Sequence, residues 1–136
     1  PNATALCLLE GPPLLWLSQT ALKFYGRTAV DEHYNGLALD EREGDRIAEV
    51  MGEADILFLK NHGVIVAAPT IAEAWDDLYY LERAAQVQLL AMATQRVLKP
   101  VPHAVAQRAY EQMREGDPES ARAHLHSAMR RLARQG

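Results

Sequence analysis

The chain of 136 residues carries a single cysteine, Cys7, so no disulfide can form within it and a reducing compartment is the simplest setting. It has no apolar run near the roughly 20 residues of a membrane span and no charged-then-apolar leader, which predicts a cytoplasmic protein without a membrane partner. Basic residues are not in excess: the net charge is -4, and a nucleic-acid partner, which would select a basic face, is not expected. The 8 glycines are scattered, so no phosphate cradle of the Gly-rich kind precedes a helix. Repeats and low-complexity linkers are also absent. What remains is a chain that is 49% hydrophobic and long enough to bury about two thirds of its unfolded surface, hence one globular unit.

Within it, Asn2 to Leu9 reads as a helix already under way at the first residue, which suggests an excerpt or a processed product. Gly11-Pro12-Pro13 breaks that helix. Leu14 to Leu17 is expected as a short strand, and Ser18 as the cap of a brief helix carrying Leu22, Phe24 and Tyr25. Arg27 to Tyr34 is expected to be extended up to the Asn35-Gly36 turn. Asp40 and Glu43 form a capping box for a surface helix with Ile47, Val50 and Met51 inward and Gly52 at its end. Ile56–Leu59 and Val64–Ala67 are uninterrupted runs of branched and aromatic residues, read as two buried strands. Thr70 and Glu73 repeat the capping pattern. The helix they open places Ile71, Ala74, Trp75, Leu78, Leu81, Ala85, Leu89 and Met92 at helical spacing. Two more helices follow, with Pro102 at the first helical position of one and Asp117-Pro118 as cap and first residue of the other. Extended runs alternating with helices make a layered α/β or α+β domain with three or four visible strands and exposed sheet edges.

The chemistry concentrates at Lys60-Asn61-His62-Gly63, where the two runs meet. A turn at a strand end can present a side chain to a ligand, and Gly63 beside it permits dihedrals or close approaches that a side chain would forbid. An open zinc site needs about three protein ligands, so His62 by itself reads first as a structural or polar turn residue and only second as a metal ligand. His124 and His126 would grip one ion on a strand. On a helix they diverge by about 200°, and both are expected as surface residues flanking an inward stripe of Leu125, Ala128, Met129 and Leu132. Glu73, Asp76 and Asp77 are expected on a solvated edge near a helix N-terminus, and Tyr79-Tyr80 as packing residues.

Five blocks carry a family resemblance: Ala3-Thr4-Ala5-Leu6; Ser18 through Arg27; Gly36-Leu37-Ala38-Leu39-Asp40; Asn61-His62-Gly63-Val64; and Ala72 through Ala84. In order and spacing the chain resembles the second half of a class II aldolase/adducin domain over residues 1–95. Residues 96–136, which match it only loosely, are expected to be a helical extension packing on the same domain. The resemblance implies an α/β/α fold with a central, mainly antiparallel sheet, partial in this chain, and a homo-oligomer, usually a tetramer. It implies that His62 is the third metal ligand, from the family's Asn-His-Gly turn. The family's His-any-His pair, acidic base and phosphate-binding loop belong to sequence before Pro1. The parent would be a divalent-metal lyase, with zinc as the expected ion, acting on a small hydroxycarbonyl or sugar-type substrate. This chain alone would be inactive. The alternative is a non-catalytic, adducin-like binding or scaffolding protein, since the same fold serves both.

Overall fold

The computed structural model describes residues 1–135. Helix α1 (Asn2–Cys7) leads through an irregular segment to the short α2 (Gln19–Leu22) and strand β1 (Thr28–Asp31). Helix α3 (Glu41–Met51), strands β2 (Ile56–Leu59) and β3 (Gly63–Val66) and the long α4 (Ile71–Ala93) follow, then α5 (His103–Arg114) and α6 (Asp117–Ala133).

The fold is α/β. Its 3-stranded sheet has the order β1-β2-β3. β2 and β3 pair antiparallel, Leu59 opposite Gly63, as two adjacent runs joined by a tight turn should. β1 and β2 pair parallel, Asp31 opposite Leu59, so the sheet is mixed. The parallel pairing has a consequence for function. It brings the C-terminal ends of β1 and β2 to the same rim, where side chains beyond the strand ends can converge. β2 is buried along its whole length, as a central strand covered on both faces must be. Leu6, Phe24, Ile56, Phe58 and Leu81 are fully buried and meet Ala84 and Ala85 of α4, whose small side chains let the helix approach closely.

Caps follow the sequence chemistry. Ser18, Asp40 and Thr70 each accept a hydrogen bond from the backbone N–H three residues on, and Gly52 ends α3 with φ 52°. Several expectations fail in detail. Residues 14–17 form no strand: the Leu15 N–H donates to Gln88 Oε1 at 2.8 Å and Gln88 Nε2 donates to the Pro13 carbonyl at 2.8 Å. A side-chain amide of α4 thus satisfies this backbone in place of a neighbouring strand. β1 stops at Asp31 because the Asp31 carboxylate accepts from the His33 N–H at 3.1 Å and bends the chain out of the sheet. Pro102 and Asp117 each fall one place from where they were expected. Pro102 is a cap rather than a first residue, whereas Asp117 is a first residue behind the cap Gly116.

A further failure concerns charge. Asp76 and Asp77, expected on a solvated edge, are buried at 2% and 3% exposure. α4 is covered by α1 on one side and by α2 and α6 on another, so its buried surface is wider than its apolar stripe. Lys23 reaches Asp76 and Asp77 at 3.3 Å and Asp117 at 2.7 Å. Arg27 donates to Asp77 at 2.7 Å and to Asp55 at 2.6 Å. Burial opposes the charge on Lys23, but Asp117, Asp77 and Asp76 outweigh it and raise the ammonium above its ordinary value. His124, also expected at the surface, packs on Trp75 at 4.4 Å, and its Nδ1 lies 2.6 Å from Asp76 Oδ1. His126 is exposed and diverges as the helical spacing requires. Of the α6 stripe, Leu125 and Ala128 turn partly inward, but Met129 and Leu132 stay 57% and 70% exposed. In α4, Ile71 and Leu78 are exposed as well. No helix among the described residues is long and apolar enough to cross a membrane.

Candidate functional site

The β2–β3 turn sits on the sheet rim that the parallel pairing creates. Lys60 N–H donates to the Asp31 carbonyl at 2.9 Å, tying the turn to the end of β1. His62 N–H donates to the Leu59 carbonyl at 3.1 Å and closes the bend. The left-handed residue of this turn is Asn61, with φ 59°, and not Gly63. Asparagine tolerates that region better than other side chains. A Cβ on Gly63 would meet Thr4 Oγ1 at 3.5 Å, an ordinary contact, so the glycine is needed less than the sequence suggests. Asn61→Val should accordingly destabilise the domain by roughly 1–2 kcal/mol in urea denaturation, while Asn61→Gly stays near wild type. Equal stability of the valine variant would show that the turn is not held left-handed.

Helix α1 braces the turn from beneath. Asn61 N–H donates to the Cys7 carbonyl at 3.1 Å, and the buried Cys7 thiol donates to the Gly63 carbonyl at 3.1 Å. Burial pushes that thiol up from its ordinary pKa. The other end of α1 is fixed by Glu82 of α4, which accepts from the Asn2 and Ala3 N–H groups at 2.9 Å each. A carboxylate there satisfies open helix donors and complements the helix dipole. Burial alone would raise the Glu82 pKa, but chiefly the N–H groups of Ala3 and Asn2 bring it down to about 2. A depressed carboxyl contributes stability that is present above its ordinary value of 4.5 and is lost as pH falls toward about 2. Glu82→Gln should therefore flatten the acid limb of a stability-versus-pH curve between those values. A limb unchanged by the substitution would refute the link.

His62 is exposed, and Tyr34, from the loop after β1, stacks on it with ring centroids 6.4 Å apart and planes inclined by 18°. Both line a cavity of about 230 Å³, together with Leu37, Ile47, Leu59 and Ile65. Two cations in its wall are already engaged. Arg46 grips Asp31 through both terminal nitrogens, at 3.1 and 2.6 Å, and Glu43 at 3.0 and 2.7 Å. Lys60 donates to the Leu9 and Gly11 carbonyls at 2.6 Å each. Arg46 holds the Asp31 carboxyl well below the usual carboxylate range against the opposing effect of burial. This network keeps α3 against β1 and so fixes the loop that carries Tyr34.

The sequence thus located the His62 turn but not its companions. Glu43 and Arg46 stand at i,i+3 on α3, a legible pair. Their third member Asp31 lies 15 positions earlier, and nothing in the local pattern announces it. Tyr34 was visible only as a residue before a turn. Among the described residues, no three His, Cys, Asp or Glu side chains converge as a metal site would require, and His124 is far from this rim, engaged with Asp76. Two imidazoles, His33 and His62, line this cavity, and no group of three such donors forms around them among the described residues.

Residues 1–89 match the family model described as the class II aldolase and adducin N-terminal domain. The chain is similar to an aldolase II superfamily protein from Pseudomonas syringae, with TM-score 0.89 and 28% identity, over 99% of this chain and 54% of that one. It is also similar to an L-fuculose 1-phosphate aldolase from Glaciozyma antarctica, with TM-score 0.71 and 26% identity, over 83% of this chain and 41% of the other. A putative aldolase class 2 protein from Caulobacter vibrioides is 36% identical over 83 residues, which is 61% of this chain and 32% of that protein. The chain therefore spans about a third of the length of that curated relative.

Proposed function

This chain belongs to the class II aldolase and adducin family, and on that premise we propose that it is the part of a divalent-metal-dependent lyase that contributes His62 to the metal. The observation that supports this reading is the exposed imidazole at the β2–β3 turn, held beside a cavity by Tyr34 and by backbone bonds to α1 and β1. The remaining ligands and an acidic base would come from other residues of a longer protein, because one imidazole does not hold a divalent ion tightly. Such an ion, zinc being the first candidate, supplies Lewis acidity toward the oxygens of a small hydroxycarbonyl or sugar-type substrate. This chain's own share is positional. The Asn61 and Cys7 bonds fix the backbone that carries His62, and the Arg46 network fixes the loop that carries Tyr34.

In the same reading residues 1–95 are the family domain and residues 96–136 a helical extension, docked through the Lys23 cluster and the packing of α6 on α4. The chain would assemble as a cytoplasmic homo-oligomer, a tetramer by family likeness. Exposed Leu90, at 65%, and Leu132, at 70%, offer apolar surface for such contacts. The family also includes adducins, so a binding or scaffolding role is the second reading. Elemental analysis of the purified full-length protein separates the two. The lyase reading expects about one divalent ion per chain, as for an open catalytic site with three protein ligands. A metal-free protein that still captures partners would support the scaffold.

A further inference from the structure

We infer that a second copy of this protein docks on this chain with its α6 lying antiparallel along the outer face of α3, an inference that rests on the homo-oligomer reading and not on the metal. Glu41, Asp45, Glu49 and Glu53 recur every fourth residue along α3 and just past its end, and all are exposed. That interval puts them on one face in a row, about 6 Å apart. Arg122, His126, Arg130 and Arg134 recur at the same interval along α6 and are exposed too. No carboxylate interrupts the sequence from Ala121 to Gln135. Among the described residues, none of these side chains takes part in an ion pair, and the exposed Arg42 of α3 lies 3.8 Å from Asp40 instead. Like charges four apart on a helix repel, so each row is unfavourable until an opposite charge meets it.

The helix dipoles account for only part of the pattern. Glu41 in the first turn of α3 and Arg130 in the last turn of α6 suit the dipoles of their own helices. Glu49 lies in the last turn of α3, where a carboxylate is disfavoured, and Arg122 lies in the N-terminal half of α6. Nor do the rows answer each other within one copy, where α3 packs on β1 and α6 on α4. Exposed ion pairs are individually weak, so charge orients a partner and apolar contact must help to hold it. Both surfaces carry that contact at the ends an antiparallel arrangement brings together. Met129 and Leu132, late in α6, are 57% and 70% exposed, and Leu37 and Leu39, just before α3, are 72% and 86% exposed. The contact joins unlike surfaces, so it closes either as two reciprocal contacts in a two-fold dimer or as a ring.

The experiment is sedimentation velocity of the full-length protein and of two charge-reversed variants, Asp45→Arg with Glu49→Arg and Arg122→Glu with Arg130→Glu. All four positions are exposed, so the folded chain tolerates the changes. Each variant alone should self-associate at least about tenfold more weakly than wild type. An equimolar mixture of the two should regain the wild-type mass, because each then offers the other an opposite row, and misfolded variants could not do so. Wild-type association should also weaken between about 0.1 M and about 1 M salt, as the screening length falls from about 10 Å to about 3 Å. If both variants keep the wild-type mass, or if the mixture fails to regain it, the inference is overturned while the homo-oligomer reading stands. If wild type binds phosphatidylserine vesicles and the α6 variant loses that binding with its mass unchanged, the row serves an anionic lipid surface and the inference is overturned as well. A monomeric wild type removes the homo-oligomer reading and the inference together.

Discussion

Asp77→Ala should destabilise the domain by about 3–5 kcal/mol, the cost of removing one partner from a buried ion pair and leaving its counter-charges in low dielectric. Asp77 is 3% exposed and serves two cations at once, Arg27 at 2.7 Å and Lys23 at 3.3 Å. Lys23 and Arg27 are themselves 7% exposed, so water cannot easily replace the lost carboxylate. Burial works against the charge on Arg27, and Asp77 followed by Asp55 raises its pKa in spite of that. Without Asp77 the guanidinium keeps Asp55 as its one carboxylate, whose side chain is 39% exposed and correspondingly screened, and the Lys23 carbonyl at 3.3 Å. For a chain of this size the loss corresponds to a fall in Tm of roughly 10–20 °C by scanning calorimetry. Asp77→Asn, which keeps an acceptor, should cost less. Arg42→Ala is the control: its side chain is 93% exposed and 3.8 Å from Asp40, so it should stay within about 0.5 kcal/mol of wild type. An Asp77→Ala variant as stable as that control would mean the cluster contributes specificity and not stability.

His62→Ala in the full-length protein should have the opposite profile, with a large loss of metal and almost no loss of fold. The imidazole is exposed, and the bond that closes the turn is donated by the His62 backbone N–H, which alanine retains. The left-handed position belongs to Asn61, so alanine at the next residue meets no backbone strain. Stability should therefore change by less than about 0.5 kcal/mol. Altering a residue that merely orients a metal ligand commonly costs 10–100-fold in affinity, so losing a ligand outright should cost at least about a hundredfold. Elemental analysis after dialysis, paired with urea denaturation, reads both quantities. Equal metal content in the two proteins would remove His62 from the site. A variant that failed to fold would instead make it a structural residue.

The two substitutions mark the boundary between what the chain announces locally and what it does not. The β2–β3 hairpin was legible because each strand is a short, uninterrupted run of branched and aromatic side chains, and a central strand covered on both faces needs nothing else. The helices that begin at Glu41 and Ile71 were legible because their caps are local, with Asp40 and Thr70 each bonding three residues ahead. His62 stood out for the same reason: it is a polar residue at the bend between two apolar runs, of which β2 is buried throughout and β3 only half-buried beyond Gly63. The buried carboxylates were not legible, because an acidic pair near a helix start is ordinarily solvated, and its burial depends on which elements happen to cover it.

By itself the sequence determined most of the local elements and the imidazole at the hairpin bend, which rest on residues within a few positions of one another, and the family, which rests on the order and spacing of five blocks along the chain. The tertiary structure alone decided that Asp76 and Asp77 turn inward to Lys23 and Arg27, that Arg46 and Lys60 are already bound, and that Tyr34 lies over His62. Those facts join residues far apart in the chain, and the free energy of an ion pair or a stacked ring depends on burial and distance that only the packed molecule sets.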